Sequence, residues 1–268
     1  MNTKKIFIYK NDTPLSLYAY TVLVETLKPY GYEIYDTCAP EVDLVACIGG
    51  DGTFLKFLHD CAFPDKPVIG INTGHLGFFQ ELMPDEIQAF VDSFENGDYK
   101  LQTLHPVEAY VYTNNGTFHH LALNEIIVRG SFSQLVHFRI VIDQTIIQNF
   151  SGDGVLVASP VGSTAYNYSL GGSLVSPELD VLQLTPIAPN NTNAYRSFRS
   201  SIIIPASKKI ILETNENTRS EHFSISYDGH LSEYSNIKKV EILQSEKQIR
   251  LVRFESYDYW SKLKEKLL

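Results

Sequence analysis

The chain has 268 residues, 44% of them apolar and 12% aromatic, which suits one or two globular domains with buried cores. Its 31 acidic residues outnumber its 22 basic residues, for a formal charge of −9. Binding to nucleic acid or to a membrane surface needs clustered Lys and Arg, so this balance argues against both kinds of partner. An anionic ligand would have to be bound by a few residues at its own site and not by a broad basic surface.

The N-terminus resembles no export signal. Its apolar run, residues 6–9, is shorter than the roughly 7–15 apolar residues of a signal-peptide core, and no later stretch approaches the ~18 of a membrane span. Cys38, Cys47 and Cys61 are odd in number and lack CxxC spacing. We therefore expect reduced thiols and a cytoplasmic protein.

The first hundred residues alternate short apolar strands with helical patterns. Strands are predicted at residues 5–9, 44–48 and 67–71, and helices at 14–28, from 53 onward and at 84–94. Alternating strands and helices indicate a doubly wound parallel sheet, whose ligand crevice lies at the carboxyl ends of the strands.

The pattern changes after the turn at residues 96–98. Short alternating segments rich in β-branched and aromatic residues follow, and they predict a β-rich, sandwich-like domain. The tail has apolar residues near helical spacing, which predicts a helix that packs back on the protein. The predicted organisation is an α/β domain (1–100), a β-rich domain (101–252) and a C-terminal helix (253–268).

The run GGDGT, residues 49–53, joins a predicted strand to a predicted helix. Backbone N–H groups exposed by glycines attract anions, so Gly49, Gly50, Gly52 and Thr53 predict a phosphate loop, although the spacing is neither GxGxxG nor the lysine-bearing P-loop. A structural interpretation makes Asp51 a helix N-cap. A functional one lets its carboxylate accept a proton from an attacking hydroxyl, or help hold Mg²⁺ on the phosphates.

A second cluster contains the dipeptide Asn124-Glu125 within apolar sequence. An amide can read the edge of a purine, and a carboxylate can accept from two ribose hydroxyls, although the pair alone is a common surface dipeptide. The later run at residues 159–172 has hydroxyls, amides and glycines with almost no charge. It suits a sugar or a base edge, or else a polar hairpin loop.

Taken together, the motifs resemble the ATP-dependent NAD kinases of the bacterial type. The matching residues are spread in order along the chain: GGDGT at 49–53, NTGHLGF at 72–78, NE at 124–125, GDG at 152–154, GSTAY at 162–166 with Ser169 and GG at 171–172, and DGH at 228–230. As a set they are far more specific than any one motif.

The resemblance implies a kinase that transfers the terminal phosphoryl group of ATP to the adenosine-ribose 2′-hydroxyl of NAD, giving NADP. Asp51 would be the catalytic base. Mg²⁺ or another divalent ion would accompany ATP, with no protein metal site beyond a contact through Asp51. The residues implied near NAD are Asp51, Gly52, Asn124, Glu125, Ser151, Asp153, Thr164, Ala165, Tyr166, Ser169, Ala188 and Tyr195.

The resemblance also implies a homodimer or homotetramer. The sequence also departs from the pattern of the family. Many relatives carry a basic residue where this chain has Ser151, so a charge contact to the substrate is in question. Two other functions stay open from the sequence. One is a kinase of the same loop class with another hydroxyl acceptor, and the other is a dinucleotide-sensing module without catalysis.

Overall fold

The computed structural model describes residues 4–131, 134–191, 196–214 and 222–268. The chain divides into two compact units, Met1–Leu104 with Lys247–Leu268, and His105–Glu246. Within the described ranges, no helix is long and apolar enough to cross a membrane.

The strands, in chain order, are β1 Lys5–Lys10, β2 Glu33–Tyr35, β3 Leu44–Gly49, β4 Pro67–Asn72, β5 Lys100–Leu104, β6 Val107–Thr113, β7 Gly116–Ala122, β8 Glu125–Gly130, β9 Val136–Ile142, β10 Thr145–Gly152, β11 Gly154–Ala158, β12 Val181–Ile187, β13 Ile202–Pro205, β14 Ile210–Thr214, β15 His222–Tyr227, β16 His230–Ser235, β17 Ile237–Gln244 and β18 Ile249–Arg253. The α-helices are α1 Pro14–Leu27, α2 Asp51–Asp60, α3 Ile87–Asn96, α4 Tyr166–Ser169 and α5 Tyr259–Leu267. Short 3-10 turns lie at Lys28–Tyr30, Pro84–Glu86 and Val161–Thr164.

The first unit is built on a six-stranded sheet of order β2-β1-β3-β4-β18-β5. Neighbouring strands are parallel except for β18 and β5. Ile8 of β1 belongs to the same core as Leu23 of α1 and Phe90 of α3. Tyr9 points to the opposite face, because side chains alternate along a strand, and there it meets Phe57 of α2 with ring centroids 5.6 Å apart. The predicted doubly wound sheet is confirmed.

Strands β5 and β18 complete this first sheet, although most of their residues fall in the range 101–252 assigned from the sequence to the β-rich domain. Ile249 and Leu251 of β18 are buried, and β18 lies beside β4. Without it, β4 would be an edge strand with unpaired backbone groups. The chain therefore returns to its first unit before the C-terminal helix.

The second unit contains two six-stranded sheets, of order β10-β9-β14-β17-β6-β7 and β13-β12-β11-β8-β15-β16. Neighbouring strands in both are antiparallel. Apolar side chains from both sheets, including Phe138 and Val111 of one and Phe223 and Val157 of the other, form one core. The predicted β-rich, sandwich-like fold is confirmed.

Candidate active site

The GGDGT turn lies at the carboxyl end of β3, a strand buried along its whole length. Gly50 is the N-cap of α2 and the helix begins at Asp51, two residues before the predicted start. A Cβ on Gly50 or on Gly52 would meet no atom within 4 Å, so the turn is open at both positions. Thr53 faces inward, where its hydroxyl accepts a hydrogen bond from the amide of Asn11 at 3.0 Å.

The Asp51 carboxylate does not cap its own helix. Its Oδ1 accepts hydrogen bonds from the backbone N–H groups of Phe78 at 3.0 Å and Phe79 at 3.2 Å. The N–H of Phe78 also lies 3.2 Å from Oδ2. The N-cap interpretation is therefore wrong, because the side chain is used to join the glycine turn to the loop after β4.

Gly77 makes this close approach possible. A Cβ at that position would lie 2.5 Å from Asp51 Oδ1 and 1.9 Å from Oε1 of Gln80. Gln80 is buried, and both polar atoms of its side chain lack a hydrogen-bond partner among the described residues. The position of the Asp51 carboxylate thus depends on a glycine in the facing loop.

Two lysines of α5 approach the same place. Lys266 donates a hydrogen bond from Nζ to Asp51 Oδ2 at 2.6 Å. Lys262 donates to the carbonyl of Gln80 and lies over the Tyr257 ring, 5.0 Å from its centroid. Burial, and then the neighbouring Arg253, lower the pKa of Lys262 to about 8.

From the sequence, Lys262, Lys264 and Lys266 are expected only to be available for the solvated face of the predicted tail helix. The spacing of four residues between Lys262 and Lys266, which places both on one side of α5, is a signal within the sequence. It does not say what that side faces.

A buried ion pair fixes the loop that carries the partners of Asp51. Arg253 of β18 binds Glu81 with Nη1 and Oε2 2.9 Å apart, and both side chains are almost fully buried. Its Nη2 also donates to the carbonyl of Phe78 at 2.9 Å. The return of β18 to the first sheet therefore supports the position of Asp51.

In the second unit, Asn124 and Glu125 lie where β7 passes into β8. Asp228 accepts hydrogen bonds from the backbone N–H groups of Leu123 at 2.6 Å and Asn124 at 2.8 Å. Ser159 donates its N–H to the carbonyl of Asn124 at 2.9 Å. The sequence motif containing Asp228 indicates no role by itself, and its role in the fold is to hold this junction.

The Glu125 side chain is buried, and its hydrogen-bonding capacity is not fully used. Its Oε2 has no hydrogen-bond partner among the described residues, and the same is true of the buried Oδ1 of Asn124. Burial, and then the charge of Asp228, raise the pKa of Glu125 from 4.5 to about 8. Buried polar atoms are normally satisfied, so these two acceptors are suited to hydrogen bonds from a ligand.

The GSTAY segment packs beside this junction. A Cβ on Gly162 would lie 1.9 Å from the backbone oxygen of Asn124, so only glycine allows this approach. Tyr166 packs against the apolar cluster that contains Ile127, on the face of the sheet that points away from the sandwich core. Its hydroxyl accepts a hydrogen bond from Arg129 at 3.2 Å. Glu125, Ile127 and Arg129 share this face because alternate residues of a strand point the same way.

Three other predicted residues, Ser151, Asp153 and Ala188, lie near the end of β8 and β11 that is opposite Glu125. The N–H of Asp153 donates to the carbonyl of Ile187 at 3.0 Å, and Asp153 and Ala188 are both exposed. Ala188 has φ 43. Ser151 is fully buried, its hydroxyl lacks a partner among the described residues, and its N–H donates to Ser197 at 2.9 Å.

The two groups of predicted residues lie at opposite ends of β8 and β11. Glu125 pairs with Ala158, and Arg129 pairs with Gly154. Four residues of strand correspond to about 13 Å at the usual rise. The unsatisfied Oε2 of Glu125 therefore lies at one end of this strand pair, and Asp153 lies next to the other end.

Three of the remaining predicted residues lie in the 3-10 turn at Val161–Thr164, directly after it, and in α4. Thr164 and Ala165 are partly buried, and Ser169 is exposed at the end of α4. The Thr164 hydroxyl donates to the carbonyl of Val161 at 3.0 Å. Tyr195 lies outside the described residues. Within the described ranges, no three His, Cys, Asp or Glu residues form a group that could hold a metal ion.

Two family models match the chain, the ATP-NAD kinase N-terminal domain over residues 18–99 and the ATP-NAD kinase C-terminal domain over residues 123–254. An NAD kinase of Finegoldia magna is 36% identical over 270 residues, which cover 100% of this chain and 99% of the relative. An NAD kinase of Staphylococcus carnosus is 31% identical over 239 residues, covering 88% and 87%.

Two solved structures share the fold. The crystal structure of yeast NADH kinase complexed with NADH has a TM-score of 0.84 and 23% identity, covering 99% of this chain and 87% of that chain. The structure of an NAD kinase from Archaeoglobus fulgidus in complex with ATP has a TM-score of 0.73 and 22% identity, covering 97% and 98%. With both family models matched across most of its length, the chain belongs to the ATP-NAD kinase family.

Proposed function

We propose that this protein is an NAD kinase that transfers the terminal phosphoryl group of ATP to the adenosine-ribose 2′-hydroxyl of NAD, with Asp51 as the catalytic base. The observation that carries the proposal is the Asp51 carboxylate, which stands in an open glycine turn at the carboxyl end of a parallel strand. Two backbone N–H groups hold its Oδ1. A fixed carboxylate beside a phosphate loop is the arrangement that a hydroxyl acceptor needs.

The reaction then has a simple balance. Asp51 takes the proton of the 2′-hydroxyl while that oxygen forms a bond to the terminal phosphorus. The bond from this phosphorus to the oxygen bridging to the next phosphate breaks, and ADP leaves with the electron pair. The N–H groups of the glycine turn would stabilise charge on the phosphate oxygens, so positioning and electrostatics supply most of the rate.

NAD recognition is assigned to the second unit. Asn124 would read the adenine edge with its buried, unpartnered Oδ1, and Glu125 would accept from ribose hydroxyls. Tyr166, Thr164, Ala165 and Ser169 would line the groove along the outer face of β8 and β11. Ser151, Asp153, Ala188 and Tyr195 would serve the nicotinamide end.

A divalent ion is part of the proposal as a companion of ATP. Mg²⁺ is usually held by one or two carboxylates together with substrate phosphates. The glycine turn offers one carboxylate, Asp51, and its donor set fits an ion carried mainly by the nucleotide. The ion would neutralise charge on the phosphates. A homodimer or homotetramer and a cytoplasmic location are also proposed, on the family resemblance.

The test is NADP formation by the purified protein with ATP, Mg²⁺ and NAD, detected with an NADP-specific dehydrogenase. Asp51→Asn keeps the shape and an oxygen that can accept from Phe78 and Phe79, but it removes the base. We expect its kcat to fall by about 10²–10⁴-fold, as for loss of a general base. Asp85→Asn, at an exposed acid in the same unit, is the matched control and should behave as wild type.

Each outcome has a definite meaning. A small loss of kcat in Asp51→Asn would reject the base assignment. Absence of NADP with retained NAD binding would favour a dinucleotide-sensing module. ATP turnover with a different hydroxyl compound, and none with NAD, would point to another kinase of the same loop class.

A further inference from the structure

The C-terminal helix holds a lysine against the proposed base. Lys266 Nζ lies 2.6 Å from Asp51 Oδ2, and the two side chains are 30% and 25% exposed. The same Nζ lies 4.6 Å from the centroid of the Phe78 ring. Asp258 caps the start of α5 and Leu263 is buried, so the helix itself is well anchored.

The glycine turn lacks a cation of its own. Asp51 is the only charged residue in the run at 49–53, and its charge opposes the phosphates of ATP. A P-loop meets this need with a lysine inside its motif. In this protein an ammonium group reaches the turn from the other end of the chain.

The two oxygens of Asp51 are not equivalent. Oδ1 accepts from the N–H groups of both Phe78 and Phe79, whereas Oδ2 accepts from Lys266 and, at 3.2 Å, from Phe78. The oxygen open to a hydroxyl is therefore Oδ2, the one that Lys266 occupies. While Lys266 stays there, its Nζ occupies the position that an incoming hydroxyl would need.

Lys262 has a different role. Its Nζ is committed to the Gln80 carbonyl and to the Tyr257 ring, which ties α5 to the loop after β4. Among the described residues, Lys266 Nζ is bound only by Asp51 and the Phe78 ring, and its flexible stem can carry a compact charge over a few ångströms.

We propose that Lys266 is a phosphate-binding residue of the kinase: it pairs with Asp51 in the absence of nucleotide and transfers to the phosphates of ATP, which frees Oδ2 for the 2′-hydroxyl. The inference rests on the proposed function for the identity of the hydroxyl. The predicted binding of ATP by Lys266 does not depend on the proposed function, because Lys266 would contact the nucleotide whatever the hydroxyl acceptor is.

The test is calorimetric titration of the whole protein with ATP and Mg²⁺ in the absence of NAD. Lys266→Met should weaken ATP binding by about 10–100-fold, the range for loss of one charge-assisted hydrogen bond. Lys266→Arg should recover most of the affinity, since a guanidinium also binds phosphate. Lys264→Met, on the exposed side of the same helix, is the matched control and should bind ATP as wild type does.

A second variant separates two roles of Lys266, which are the binding of phosphate and an effect on Asp51 alone. In a titration with ATP and no Mg²⁺, Asp51→Asn should bind ATP at least as tightly as wild type, because it removes a repelling charge and releases Lys266. In turnover, Lys266→Met should raise the KM for ATP and leave the KM for NAD unchanged. Wild-type ATP affinity and an unchanged KM for ATP in Lys266→Met, with only kcat reduced, would overturn the inference.

The Tm of each variant is measured first. If Lys266→Met unfolds near the assay temperature, Lys266→Gln replaces that variant in the same comparison. Gln keeps a polar group at this position but has no charge. Wild-type NADP formation with ATP affinity independent of Lys266 overturns the inference and leaves the proposed function standing. If ATP affinity depends on Lys266 but no NADP is formed, the inference stands and the proposed function is overturned. If the wild-type protein does not bind ATP, both are overturned.

Discussion

The Asp228 carboxylate accepts a hydrogen bond from the backbone N–H of Asn124, with Oδ1 2.8 Å from the nitrogen. Asp228 has φ 47 and Gly229 has φ 86, so this Asp-Gly pair forms the tight turn of the β15–β16 hairpin. Positive φ at both central residues is typical of such turns. The turn of one hairpin therefore fixes the start of the strand that carries Glu125.

Asp228→Asn should weaken NAD recognition. Asn tolerates the left-handed turn, but its NH₂ group would face one of the two N–H donors that the carboxylate satisfies. We expect the KM for NAD to rise about tenfold, the order of magnitude for one lost hydrogen bond to a charged group, with the KM for ATP unchanged.

Asp143→Asn is the matched control for this change. Asp143 also has positive φ in a turn of the second unit and also accepts a backbone N–H, that of Lys209. It lies in the β9–β10 turn, away from the Asn124 junction, so its KM for NAD should match wild type. Equal NAD KM values for the two variants would reject the positioning role of Asp228.

Burial of Glu125 should make stability depend on pH. Its pKa is raised from 4.5 in an exposed setting to about 8 in the folded protein. The folded protein therefore binds the proton more tightly, and the contribution to stability is complete below about pH 4.5, declines as pH rises, and is fully lost above about pH 8. Glu125→Gln cannot titrate, so its stability should lack this decline.

The measurement is the Tm of wild type and Glu125→Gln between about pH 5 and about pH 8.5, the range over which this linkage acts. Wild type should lose Tm relative to the variant by several degrees, since one pKa unit is worth about 1.4 kcal/mol and each kcal/mol is about 2–4 °C for a chain of this size. Glu233→Gln, at an exposed site on β16, should run parallel to wild type. Parallel curves for Glu125→Gln as well would show that Glu125 is not buried as described.

The sequence was most informative where the pattern is local. The predicted strand at 44–48 and helix at 14–28 are observed within one residue of each end, at Leu44–Gly49 and Pro14–Leu27. Apolar periodicity and the flanking Pro and Gly carry that information. The predicted helix start at 53 missed Asp51 because a glycine N-cap gives a weak local signal.

The site depends on contacts that local patterns do not contain. Lys266 and Asp51 are 215 positions apart, and Asp228 and Asn124 are 104 apart. Strand β18 is a short strand of apolar and charged residues, IRLVR, and this local pattern does not say which sheet it joins. The resemblance to a family supplied the candidate residues, and only the packed structure relates them to the groups that hold them. The assigned roles of individual site residues stay predictions.

Gly77→Ala should disturb the proposed base from the opposite side of its pocket. The added Cβ would lie 2.5 Å from Asp51 Oδ1 and 1.9 Å from Gln80 Oε1, so at least one side chain has to move. Gln80 is buried, and Asp51 is held by two backbone N–H groups, which leaves little room to adjust. Overpacking of this kind costs about 1–3 kcal/mol, and we expect a lower Tm together with a reduced kcat.

Gly74→Ala provides the comparison for stability, because a Cβ at Gly74 would meet no atom within 4 Å in the same loop. Its Tm should stay at the wild-type value while that of Gly77→Ala falls. The kinetic result for Gly77→Ala then identifies which side chain gives way. A lower Tm with normal kcat would mean that Gln80 moves and Asp51 stays, whereas a fall in both would place the cost on the carboxylate. An unchanged Tm and kcat would contradict the crowding at Gly77 altogether.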